Sequence, residues 1–104
     1  MKFMTLVVEP VEKIAEISAA SDKVWADVPK GNRPEASYVL LCVPRFDIPP
    51  NSIVAFGISE SDSADSIAAR NYPLMLAGAT AVHVIPILEV PVTGAAKAEK
   101  KYRG

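Results

Sequence analysis

Apolar residues recur along this chain at two spacings, every second residue and every third or fourth, and the switches between them set out its elements. Residues 3–9 alternate, with Met4, Leu6 and Val8 in one row and Phe3, Thr5 and Val7 in the other. Both rows are apolar enough for a central strand. Glu9-Pro10 stops it, because proline opens a helix readily but cannot continue a central ladder. Between residues 11 and 28 the apolar spacing lengthens to three or four, with Glu12, Lys13, Glu16, Asp22 and Lys23 in the gaps. That pattern predicts an amphipathic helix of about four turns.

Pro29 ends this helix, and a polar stretch leads to a second strand at 38–43 and a third at 52–59. The Pro-rich turn at 44–51 between them is short enough to make the pair an antiparallel hairpin. Ser59 to Ser63, Ser-Glu-Ser-Asp-Ser, form a capping cluster for a second helix over 63–71, anchored by Ile67. Pro73 is expected to break or restart that helix, with a last turn ending at Gly78. Residues 80–92 then form the final strand. Its rows are Val82, Val84, Pro86, Leu88 and Val90 on one side and Ala81, His83, Ile85, Ile87 and Glu89 on the other.

Strand, helix, strand, strand, helix, strand is the α+β, ferredoxin-like βαββαβ pattern, with a four-stranded antiparallel sheet. In that arrangement the sheet order is fourth, first, third, second, and Pro86 and Pro91 suit a last strand at an edge. Two helices cover one sheet face. Met4, Leu6, Val8, Val54, Phe56, Ile58, Val82, Val84 and Leu88 are taken as the covered side. The opposite face then shows Phe3, Thr5, Val7, Ile53, Ala55, Gly57, His83, Ile85 and Ile87. An uncovered apolar face of that size predicts a homodimer or higher oligomer.

Composition narrows the class. In 104 residues, 50% are hydrophobic and 22% charged, which fits one domain over 1–93 and a tail over 94–104. Net charge is −1, but the tail carries Lys97, Lys100, Lys101 and Arg103 against Glu99 alone, so the remainder is acidic and nucleic acid is not an expected partner. The apolar runs are too short for a membrane span, and the opening residues lack a secretory leader, so a cytoplasmic location is expected. Cys42 is the only cysteine and sits in an apolar run, where it reads as a small buried hydrophobe.

Trp25 near the end of a charged first helix, a Pro-bounded loop, a hairpin, an Ala-rich second helix with Tyr72-Pro73, and the run His-Val-Ile-Pro-Ile-Leu-Glu-Val from His83 resemble small proteins of unknown function in the dimeric α+β barrel superfamily. The resemblance covers the chain to about residue 92, and its distinctive piece is the final strand. It implies that two subunits pack their open sheet faces into a barrel, with a cavity inside the barrel or between sheet and helices. Members include cofactor-free monooxygenases, isomerases, and haem-degrading enzymes and peroxidases. No catalytic motif of an active member carries over onto these residues, and fold alone is a weak warrant for function.

His83, the only histidine, is the sharpest chemical candidate, as a general base or a haem-iron ligand in an apolar cavity. The plainer reading is an interface histidine bonded to Thr5 or to a partner's carbonyl. One histidine without thiolate or carboxylate company makes no zinc site, so neither metal nor cofactor is expected. Ala55 and Gly57 are small residues within a bulky strand, leaving room for a ligand or for a neighbour such as Phe3. A cavity there would be lined by Phe3, Thr5, Val7, Ala55, Gly57, His83 and Ile85, and would suit a flat, mostly apolar molecule with one polar handle. Trp25 and Tyr72 read as packing residues, Arg45 and Asp47 as solvated loop, and the tail as a solvated end. The expected function is a small-molecule binding protein or cofactor-independent enzyme. The alternative is a non-enzymatic interaction or regulatory module whose product is the assembly itself.

Overall fold

The computed structural model describes residues 1–40 and 51–104. The readings of Cys42, Arg45 and Asp47, of the turn at 44–50 and of the second strand beyond residue 40 lie outside them. The elements are β1 (Lys2–Pro10), α1 (Ile14–Ala26), β2 (Ala36–Val39), β3 (Ser52–Glu60), α2 (Ala64–Ala77), β4 (Ala81–Ile87) and α3 (Ala95–Arg103). A single 3-10 turn, Val11–Lys13, joins β1 to α1. The strands form one antiparallel sheet in the order β2-β3-β1-β4, which from the other edge is the expected order of fourth, first, third, second. The architecture is α+β and compatible with a ferredoxin-like fold, with β4 at an edge.

Local chemistry explains the helix ends. Ser63 caps α2, its Oγ accepting from the Ser66 amide at 3.2 Å, while Asp65 sits in the first turn. Gly78 closes α2 at φ 126°, a backbone region that L side chains rarely adopt. There the Gly78 amide donates to the Met75 carbonyl at 3.1 Å and the Ala79 amide to the Leu74 carbonyl at 3.0 Å, the paired bonds of a Schellman stop.

Pro73 does not break α2, contrary to expectation. Ile67, Asn71 and Leu74 form one buried stripe across that position, and Pro73 itself is exposed, as is Ala69 four residues before it. Packing of the stripe outweighs the lost backbone bond, and the carbonyl left without its donor lies on the solvent side. The final strand is shorter than expected. Its ladder with β1 ends at the Lys2–Ile87 pair, where β1 itself starts, so Leu88, Val90 and Val92 lie beyond it and are exposed. The tail is a helix, tied by a two-bond pair from Arg103 to Glu99 at 2.6 and 3.1 Å.

The faces of β1 and β3 are the reverse of the expected assignment, whereas β4 presents Val82 and Val84 to the helices and His83, Ile85 and Ile87 to the open side as expected. Residues directly opposite in an antiparallel pair share a face. Val7 packs with Ile17 of α1, Leu74 of α2 and Ala79, and Val82 packs against that cluster. The ladder therefore puts Phe3, Thr5, Val7 and Glu9 of β1, Ile53, Ala55, Gly57 and Ser59 of β3, and Val82 and Val84 of β4 beneath the helices. Met4, Leu6, Val8, Val54, Phe56, Ile58, His83, Ile85 and Ile87 face the other way. Bulk misleads here because the helices bring their own, in Ile17, Ile67 and Leu74. The sheet row that receives them is the leaner one.

Candidate functional site

The helices lie mainly over β1 and β4, with α2 on β4 and α1 on β1 and α2. The inward row of β3 is roofed by one flank of α1. Between them lies a cleft of about 280 Å³. Its floor is Thr5, Val7 and Glu9 of β1 with Ile53, Ala55 and Gly57 of β3, and its roof is Ser18, Ser21, Asp22 and Trp25. Those four roof residues are three or four apart on α1 and so share a helical face. Buried Asn71 and Leu74 close the α2 end.

Polar groups stand at both ends of an apolar middle. On β1, Thr5 and Glu9 are four residues apart, roughly 13 Å along the strand, with Val7 between them. Opposite Val7 is Ala55, whose small side chain leaves the centre open. Thr5 and Glu9 are each only 7% exposed. Among the described residues the Thr5 hydroxyl has no hydrogen-bond partner. Among the described residues no hydrogen bond or ion pair reaches the Glu9 carboxylate, and its burial pushes that carboxyl above the usual carboxylate range. A buried acid and a buried hydroxyl left without partners are costly to the fold alone, and both line the cleft.

The residues expected to share one cavity are divided by the sheet. Thr5, Val7, Ala55 and Gly57 line the cleft, and Phe3 is buried on the same side. His83 and Ile85 lie on the opposite, open face, where Ile85 is 40% exposed. No Thr5–His83 bond forms across the sheet, and His83 joins no constellation with the cleft residues. The parity of β4 against β1 decides this: His83 is opposite Leu6, and Thr5 is opposite Val84. Gly57 serves a neighbour: a Cβ there would stand 3.2 Å from the Ala36 carbonyl oxygen and 3.6 Å from the Pro34 ring. Glycine lets the β2 segment close over β3 at that point.

Glu9, Ser18, Ser21, Asp22 and Asn71 did not stand out as site residues in the sequence. The available signal was Glu9, an acid at the end of a strand whose other inward residues are Phe3, Thr5 and Val7. Trp25, expected to pack, lines the cleft.

On the open face Tyr38 stacks on Phe56 with ring centroids 5.0 Å apart. Met4, Leu6, Ile58 and Ile87 lie half-buried beside exposed His83 and Ile85. Lys2 rims one end, reaching Glu35 and Glu89 at 3.2 Å each, and these two carboxylates hold its ammonium above the usual lysine range. Among the described residues no helix is long and apolar enough to cross a membrane. No protein-family model matches the chain, and no curated protein matches it.

Proposed function

We propose that this protein binds a small, mostly apolar molecule in the cleft between α1 and β3, and that it works as two copies joined through their open sheet faces in the manner of a dimeric α+β barrel. The observation that carries the binding reading is that, among the described residues, the Thr5 hydroxyl at one end of an apolar floor has no hydrogen-bond partner and the largely buried Glu9 at the other end meets no cation. The volume is about twice the ~150 Å³ of a cavity that holds benzene, so the occupant is one ring with a short substituent. In the enzyme form of this reading, Glu9 takes the proton-exchanging place first assigned to His83.

Trp25 is the only tryptophan and lines the cleft, so its emission reports occupancy. Titration with 2-phenylethanol should give a saturable change that disappears in Ala55→Leu and persists in His83→Ala. A response unaffected by Ala55→Leu, or no saturable response, overturns the binding reading.

The alternative, an interaction module, draws on the exposed Tyr38, His83 and Ile85 beside half-buried Leu6 and Phe56. Its occupant is a second copy. Native mass spectrometry should show a dimer or larger even assembly that Ile85→Asp dissociates, and a wild-type monomer would end this account of the face.

A further inference from the structure

The charge of the cleft lining says more about the occupant than its shape does. Glu9 stands in the floor and Asp22 in the roof, one buried and one exposed. Among the described residues that line the cleft there is no lysine, arginine or histidine. Four further hydroxyls, of Ser18, Ser21, Ser37 and Ser59, are acceptors as readily as donors. Trp25 adds an aromatic face, and the negative centre of such a ring attracts a cation.

Resting on the binding reading above, we infer that the occupant is a small organic cation, an ammonium carried on a single-ring or short aliphatic body, with its charged end at Glu9. An incoming ammonium supplies the charge and the donors that the Glu9 carboxylate lacks among the described residues, and it suits the Thr5 hydroxyl oxygen, also without a partner among them, when it lies reversed. An anion meets two carboxylates and, among the described residues, no compensating cation, so it is the least favoured occupant. A neutral alcohol fits the same space but leaves the Glu9 charge without an opposite charge. The raised proton affinity of Glu9 agrees with a carboxylate awaiting such a partner, and pairing with an ammonium draws it back toward the ionised form.

The test uses the full chain, labelled with nitrogen-15, and three probes of matched shape: 2-phenylethylamine, 2-phenylethanol and 3-phenylpropionate at pH 7. The amine should shift the amide signals of Thr5, Val7, Glu9 and Ala55 and saturate at about tenfold lower concentration than the alcohol, with the carboxylate weakest. Glu9→Gln should bring amine and alcohol to within about twofold of each other without weakening the alcohol. Asp22→Asn, on the exposed surface of α1, should narrow the preference by a smaller factor and guards against a folding defect in the first variant. Equal binding of amine and alcohol to the wild type overturns the cation assignment while leaving the cleft in place. Shifts that map outside the cleft, or none, overturn both.

Discussion

Replacing Ala55 with leucine tests the cleft by stability as well as by binding, because its sign depends on whether the space is there. Ala55 faces Val7 across the β1–β3 ladder, and both line the cleft centre. Leucine adds three carbons, each worth ~0.8 kcal/mol when fully withdrawn from water. Ordering the longer side chain costs about 0.5–1 kcal/mol. The net ceiling is therefore about 2 kcal/mol of stabilisation, and less where the cleft stays open to solvent. For a domain of this size that raises Tm by several degrees, with ~10 °C as the upper bound. Thermal unfolding followed by circular dichroism, with urea midpoints alongside, measures it. If α1 had already closed on Ala55, the added atoms would overpack the site and cost about 1–3 kcal/mol. A fall in Tm of several degrees would refute the cleft and everything built on it.

Two further outcomes follow from single residues. Gly78→Ala places a side chain at φ 126° and 2.8 Å from the Lys13 Cγ. Lys13 is flexible and can move, but the backbone cannot, so about 1–3 kcal/mol of stability should be lost in urea unfolding. Glu9→Gln should change how stability depends on pH. The folded carboxyl holds its proton more tightly than the unfolded one, so wild-type stability falls as pH rises from the ordinary carboxyl range of ~4.3 through the raised value. Asp22 is the other titratable group facing Glu9 across the cleft among the described residues. The glutamine variant lacks this loss. The two proteins should therefore diverge toward neutral pH, with glutamine the more stable, and parallel curves would show that Glu9 is well solvated.

The element order, the sheet order and the edge position of β4 were legible in the sequence because they follow from spacing and from residues with one backbone meaning. Ser63 and Gly78 marked the ends of α2 for the same reason, through a side-chain acceptor and a permitted dihedral. The face assignment was not legible. In β1 both rows are apolar, and the preference for bulk inside points the wrong way when the helices supply large residues such as Ile17 and Leu74. The candidate site inherited that error, since turning β1 and β3 over while leaving β4 in place separates Thr5 and Ala55 from His83. Pro73 misled for another reason: its local cost is real, but Ile67, Asn71 and Leu74 are held from outside the helix. The cleft itself depends on where α1 lies across the sheet, which no periodicity encodes.

The two margins of the sheet bear on how copies of this chain can meet. At one margin the described part of β2 is four residues long, and at the other Pro86 interrupts the row of amide donors along β4. Neither margin is a good template for adding strands end to end. Growth of that kind has no natural limit and leads toward fibres, whereas stacking of faces is satisfied after two copies. Substituting Pro86 with a β-branched residue would restore a donor there and remove a safeguard without touching the cleft. The proline that leaves a gap in the outer row of donors thus helps to keep a concentrated solution of this protein clear.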